Sequence, residues 1–473
     1  MNSKHDISFW FSQLEENCSP RPELTEDITA DFVIVGAGFT GLWAAYYLKQ
    51  IQPDLNIVIL EARIAAYGAS GRNGGWLMGM IEDLEGQVAH LPMEQRRAIF
   101  KEVHELIDEV ARVANIEDID CDLARGGAVY AAARFPEQTQ WAEHYLRQRL
   151  DAGHSEKDFC WLNPAEAREQ INIKETFGAV YCKHIAAIQP AKLGRGLACA
   201  VEKLGVRLFE HSPALLDNKT DDFSFVRTEK GSVRADTCVL ATEGFAFGNN
   251  ALKPYVIPLQ SKIIATEPLD ASIWQEIGFQ SRQTFCDFSR LQTYVQRSAD
   301  HRLIFGARGV YEFGGKPFTD KVLTADDSGF QLCERLMHDL FPVLSNTKIE
   351  YSWAGTFGMS RKFSPHVVYD TSSNLATAGG YGGEGVGASN LFGRTLAELI
   401  LGKTSIRTEM PWVFTDPLAT SLKRWEPEPF RWLTYALAAK VYTMEEQYYC
   451  DSDAAQWKKR LLGKSANAIA RLL

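Results

Sequence analysis

The chain has no run of 18 or more predominantly apolar residues free of charges and glycines, so a membrane-spanning helix is not expected. It lacks a basic excess: 50 Lys and Arg face 60 Asp and Glu, a net charge of −10 over 473 residues. Phosphate neutralisation needs a basic footprint, so nucleic-acid binding is not expected. None of the nine cysteines forms a Cys-x-x-Cys pair, and they are scattered from Cys18 to Cys450. This argues against a disulfide or zinc framework and for the reduced thiols of a cytoplasm. The ten histidines contain no His-x-x-x-His spacing, so no metal centre is expected. The start, Met1-Asn-Ser-Lys-His-Asp, lacks the charged-then-apolar pattern of a secretory signal. No internal repeat is visible. What remains is a globular composition, 45% hydrophobic and 23% charged, long enough for two or three domains.

The sharpest positive signal lies near the start. Asp31-Phe-Val-Ile-Val35 reads as a buried parallel strand, and Gly36-Ala-Gly38-Phe39-Thr40-Gly41 follows at once. A helix over 42–48 and a second strand over 56–60 come next, ending in Glu61, twenty residues past Gly41. Gly36 permits a tight turn, Gly38 lets the backbone approach a pyrophosphate, and Gly41 lets helix and strand pack closely. The helix N-terminus offers N–H groups and a positive dipole end to the phosphates. Glu61 can accept both ribose hydroxyls, which disfavours a 2′-phosphate. With strand, helix and acidic residue all in place, the pattern predicts a dinucleotide site.

Three further segments extend it. Glu61-Ala62-Arg63 leads into Gly68-Ala69-Ser70-Gly71-Arg72-Asn73-Gly74-Gly75, a glycine-rich loop suited to close approach by a ligand. A strand over 236–241 ends in Ala241-Thr242-Glu-Gly244. A short strand over 374–379 is followed by a glycine run containing Gly380-Tyr381-Gly382-Gly383-Glu384-Gly385 and by Val386 and Gly387, before a helix over 389–401. That run also fits Gly-x-Gly-x-x-Gly, but no strand with a terminal acid follows its helix. Its expected role is a helix N-terminus aimed at the pyrimidine end of a flavin, where negative charge develops on reduction.

These landmarks, in this order, resemble the FAD-dependent amine and amino-acid oxidoreductases of the D-amino-acid oxidase superfamily, and within it the γ-glutamylputrescine oxidoreductase-like proteins. The resemblance covers about residues 5–405, including the strand-like segments 258–269 and 294–306. It implies an α/β (α+β overall) fold: a Rossmann-type FAD domain interleaved with an antiparallel or mixed-sheet substrate domain, plus C-terminal helices. The FAD domain would take 28–80, 186–248 and 350–410, the substrate domain 81–185 and 249–349, and a helical extension 411–473. Pro213 and Ala214 join the implied cofactor contacts. FAD is expected to be non-covalent, because neither the 67–75 loop nor 353–361 carries a Cys or His where some relatives tether the flavin.

The implied reaction is oxidation of a primary or secondary amine (γ-glutamylputrescine-like, an amino acid or an aminophosphonate). Hydride passes to flavin N5 and an imine then gives a carbonyl; the cofactor carries the redox chemistry. Oxygen or a quinone would be the acceptor. Four residues are expected at the reacting centre: Lys262, as a cation near the flavin; Arg361, as a clamp for an anionic group; and Trp353 and Tyr381, as aromatic walls. Phe357 stands near where relatives acting on α-amino acids place an arginine, which speaks against an α-carboxylate substrate. The alternatives are an NAD(P)H-dependent flavin monooxygenase and an electron-transfer flavoprotein subunit. In the tail, a helix over 454–473 places Trp457, Leu461, Ala468 and Leu472 near one stripe amid lysines and arginines. Such a helix packs on its own domain or a partner subunit, or lies on a membrane surface. The oligomeric state is left open.

Overall fold

The computed structural model describes residues 7–14, 21–219, 223–248, 250–307, 309, 311–315, 327–451 and 453–470. Leu472 lies outside them. Two large sheets organise the chain.

The first is built around the β-branched run seen in the sequence. Strand Asp27–Val35 lies between Ile57–Leu60 and Ser232–Leu240, parallel to both. Arg207–Phe209 extends it on one side, and Leu375–Gly379 extends it on the other, also in parallel. Ile57–Leu60 is buried throughout, as expected for a strand covered on both faces. Helices Phe39–Ile51, Pro190–Lys203 and Gly385–Ile400 pack in one core with this sheet. The first and third cross closely because Gly393 has no side chain; a Cβ there would lie 2.6 Å from that of Trp43. Pro190 stands at the N-terminus of its helix, where a missing N–H costs nothing.

The second sheet runs Ile349–Ser360, Val256–Thr266, Leu303–Ala307, Thr293–Arg297, Thr284–Asp287, Ala128–Ala133, Thr176–Cys182 and Phe159–Leu162. Its pairs are antiparallel except for Thr284–Asp287 with Ala128–Ala133, so it is mixed. Helix Ser328–Leu340 covers one face through Phe330, Cys333, Met337 and Leu340. A short ribbon, Trp76–Met78 against Ile185–Ala187, stands where the chain passes between the two sheets.

Two boundaries differ from the sequence partition. Strand Ile349–Ser360 hydrogen-bonds along Val256–Thr266 and so belongs to the second sheet, not with the cofactor segments. Val413–Phe414 pairs with His366–Asp370 at the edge of the first sheet rather than opening the tail. Strand identity is fixed by its partner, which local pattern does not reveal. The tail forms helices Phe430–Cys450 and Gln456–Ala470. Among the described residues no helix is long and apolar enough to cross a membrane. The described cysteines form no disulfide with one another.

Candidate active site

The carboxyl ends of the parallel strands open into a cavity of about 740 Å³. Val35, Leu60 and Ala241, which end or follow three of these strands, line it, as expected for a ligand crevice in an open parallel sheet. The first glycine turn is tight. Gly36 has φ +106°, and a Cβ there would lie 2.7 Å from the Ala241 carbonyl oxygen. Helix Phe39–Ile51 opens on Gly38, which has no side chain of its own to cap it. Glu61 lines the cavity and is itself held, accepting 2.8 Å hydrogen bonds from the Ala37 and Arg63 amides. Burial raises its carboxyl above the usual range, opposed by those amides. The Ser212 amide donates to the Glu61 carbonyl, which brings Pro213 and Ala214 beside it.

The glycine-rich loop folds over this turn. Ser70 Oγ accepts from the Phe39 amide at 2.9 Å, and Asn73 Oδ1 accepts from the Gly75 amide at 2.7 Å. Arg72 donates to the Tyr67 carbonyl and stacks on its ring at 4.3 Å. Gly68, Ala69, Ser70, Arg72, Asn73 and Gly74 all line the cavity, with Gly38, Phe39, Thr40, Ala62, Arg63, Thr242 and Gly244. Gly383, Glu384, Gly385 and Val386, at the start of helix Gly385–Ile400, line the same cavity. The two glycine motifs therefore serve one site. Tyr381 joins them: its hydroxyl lies 2.7 Å from Thr40 Oγ1, and burial raises its phenol above the ordinary range.

Four predicted contacts do not line the cavity. Gly41, Gly75, Gly382 and Gly387 sit behind it, where a Cβ would meet Gly36 O, Gln296 Nε2, Glu82 Cβ and Met78 O respectively. They are spacing residues.

Three of the residues expected at the reacting centre are placed elsewhere. Side chains alternate along Val256–Thr266, and Ser261 takes the cavity side. Lys262 therefore points to the other face, where it pairs with Asp327 at the start of helix Ser328–Leu340. Arg361 lies beyond the end of Ile349–Ser360, paired with Glu426 at 2.9 Å and stacked over Trp425. It holds the C-terminal segment. Trp353 is buried behind the loop and donates from Nε1 to the Arg72 carbonyl at 2.9 Å. It supports the loop and is not a wall.

Sequence reasoning missed two sets of residues. The first is an N-terminal staple: Ser8 Oγ donates to the Gly71 carbonyl and Trp10 Nε1 to the Asn73 carbonyl, each at 2.8 Å. The second lines the cavity away from Glu61. It comprises Trp76, Met78, Met80 and Glu82 after the loop, Tyr130 and Cys286 from adjacent strands, and Tyr145 and Arg149 from helix Gln138–Ala152. Tyr130 and Tyr145 stack at 5.6 Å, and Arg149 stacks on Tyr145 while paired with Glu85. Between the two ends, Tyr294 lies on Gly74 and shares a 2.5 Å hydrogen bond with Ser261 Oγ. Glu243 is a further omission. It lines the cavity and accepts 2.6 Å hydrogen bonds from the Gly244 and Gly358 amides, and burial pushes its carboxyl up to about 7.

Among the described residues, His104, Asp158 and His184 have the spacing of metal ligands. The two imidazoles stack at 3.6 Å and 15°, so their in-plane lone pairs run side by side rather than converge. Asp158 is already engaged by His184 Nε2 and Lys183.

A glycine turn against a parallel strand, a helix that opens on a glycine and an acid closing the second strand define a dinucleotide-binding protein. The chain belongs to the family described as FAD dependent oxidoreductase (DAO), which matches residues 31–399. It is 28% identical over 412 residues to the gamma-glutamylputrescine oxidoreductase of Escherichia coli K12, covering 85% of this chain and 90% of that protein. It is also 28% identical over 410 residues to a probable oxidoreductase, OrdL, of Haemophilus influenzae, covering 84% and 89%. Glycine oxidase of Geobacillus kaustophilus superposes with a TM-score of 0.67 at 19% identity, covering 84% of this chain and all of that one. The protein is an FAD-dependent oxidoreductase. The residues present fit that cofactor: besides the glycine cradle, the buried Thr242 Oγ1 on the cavity wall has no partner among the described residues.

Proposed function

We propose that the protein oxidises a cationic amine whose reacting carbon carries no carboxylate, of the γ-glutamylputrescine type, with non-covalent FAD. The observation that carries this reading is the lining of the cavity away from Glu61. It offers the carboxylates of Glu82 and Glu384, the aromatic faces of Trp76, Tyr130 and Tyr145, and the thioethers of Met78 and Met80. Its guanidinium, Arg149, is paired with Glu85. Carboxylates and aromatic faces attract ammonium groups and leave an α-carboxylate without a dedicated cation. Arg361, the other candidate clamp, is committed to Glu426.

Bound FAD supplies a two-electron acceptor for hydride at N5. The chain does the rest. Glu82 draws the ammonium end of the substrate into the cavity, and the aromatic walls exclude water and hold the α-carbon in a fixed approach. The amine reacts as the neutral base; its proton leaves to solvent. The Cα–H bond breaks with its electron pair, giving an iminium that water converts to a carbonyl, with ammonia released from a primary amine or the smaller amine from a secondary one. Non-covalent binding is supported by the 67–75 loop, which lines the cavity and contains neither cysteine nor histidine. We place the reaction in the cytoplasm, in keeping with described cysteines that form no disulfide with one another.

The test is product stoichiometry with a panel of diamines, acylated diamines, amino acids and aminophosphonates. One carbonyl and one ammonia per primary amine consumed is the expected result. NADH consumption with hydroxylated product would favour a monooxygenase instead.

A further inference from the structure

We infer that the C-terminal helical hairpin seats this protein on an anionic lipid surface. Helix Phe430–Cys450 and helix Gln456–Ala470 pack against each other, with Gly463 beside Tyr449 and Glu445, and with Ile469 and Ala438 in one apolar cluster. The stripe of Trp457 and Leu461, which an ordinary packed helix would bury, faces outward. Trp457 is 64% and Leu461 57% exposed, while the opposite side, Lys459, Ala466 and Ile469, is buried. The partner helix does the same with Phe430, Leu433 and Leu437, which are 62%, 50% and 53% exposed. At about 100° per residue, these three and Met444 span roughly 60° of arc. Half of the large exposed apolar side chains among the described residues lie on these two helices.

Charge decides what covers this face. The two helices contain two carboxylates, Glu445 and Glu446. Both are turned to the body of the protein and paired, Glu445 with Arg290 at 2.6 Å and Glu446 with Arg134. The charges left exposed on the two helices are Lys440, Lys458, Arg460 and Lys464, and the turn between them carries the exposed carboxylates Asp451 and Asp453. Lys458 Nζ lies 5.7 Å from the ring centroids of both Tyr448 and Trp457, the pairing of cation and aromatic that suits the headgroup level of a bilayer. An apolar stripe flanked by four exposed cations, with the hairpin's two exposed acids confined to its turn, on a chain of net charge −10, meets an anionic membrane in one orientation. A second copy would set the same cations against one another across a twofold axis.

Co-sedimentation of the FAD-loaded protein with vesicles tests this. Vesicles of phosphatidylcholine with about 30% phosphatidylglycerol should carry the protein down, and phosphatidylcholine alone should not. Lys458→Gln and Lys464→Gln should each weaken binding about fivefold, the equivalent of about 1 kcal/mol per charge at such a surface. Trp457→Ser with Leu433→Ser should abolish it, with the flavin spectrum and amine oxidation unchanged. Binding to neither vesicle would overturn the proposal, as would equal binding to both. So would a concentration-dependent dimer, without vesicle binding, that Leu437→Ser dissociates; that outcome would assign the face to a second copy.

Discussion

The two ends of the cavity are built by different means. At the Glu61 end the chain offers mostly backbone: a glycine turn at φ +106°, a helix that opens on Gly38, and a 68–75 loop whose carbonyls and amides are tied together through the Asn73 side chain. At the far end it offers side chains, from the ribbon after the loop, two strands of the second sheet and a helix. A backbone cradle needs specific residues at fixed local spacing, whereas a side-chain wall can be assembled from any segments the sheet brings together. The first end therefore binds what the whole family shares, and the second is free to differ.

The largest expected effect breaks the first end alone. A Cβ on Gly38 would meet only Ser70 Oγ, at 3.1 Å, so Gly38→Val should fold. Its side chain would stand where the pyrophosphate must approach, so FAD retention should fall roughly hundredfold, about 2.7 kcal/mol. Colourless protein with unchanged circular dichroism is the expected outcome. Next comes the far end. Glu82→Gln should lower kcat/KM for a diamine about tenfold or more, the value of about 1.5–3 kcal/mol for a hydrogen bond to a charged group. The flavin spectrum should stay as it was, which separates the two ends.

Glu243 lies between them. Its carboxyl, pushed up to about 7 from an ordinary 4.5, holds a proton in the folded chain that the unfolded chain releases. The stability linked to that proton is fully present below about 4.5 and is lost as pH rises through about 7. Glu243→Gln removes this loss, so the fall in melting temperature from about pH 5 to about pH 8 should be smaller in the variant. Trp353→Phe keeps the ring and deletes the donor to the Arg72 carbonyl; a cost of about 1 kcal/mol, or about fivefold in FAD affinity, is expected by equilibrium dialysis. The smallest effect belongs to Lys262→Met. With its ammonium on Asp327, away from the cavity, flavin reoxidation should change less than about twofold, and stability by up to about 1 kcal/mol.

What was legible in the sequence follows the same division. The Asp27–Val35 strand, its glycine turn, Glu61, the loop and the glycine run before Gly385–Ile400 are each local, and each lines or supports the cavity. Lys262 was misplaced by a single residue of register: Ser261 faces the cavity, and period-two alternation turns its neighbour away. Arg361 is expected as a clamp at the reacting centre, but strand Ile349–Ser360 runs on to Ser360 and carries the arginine past the site to Glu426. Tyr130, Tyr145 and Glu82 come together only through the pairing of Ala128–Ala133 with Thr176–Cys182 and the packing of helix Gln138–Ala152, which no local pattern encodes. The outward stripe of Trp457 and Leu461 was visible as a stripe; its direction was not, because either face of a helix can be the one that packs.

The most direct test is anaerobic reduction of the FAD-loaded protein by matched pairs of substrates, such as a monoacylated diamine and the α-amino acid of similar length. Bleaching of the oxidised flavin band by the diamine, with no bleaching by the α-amino acid, is the predicted result. Bleaching by the α-amino acid alone, or by NADH and by no amine, would contradict the account.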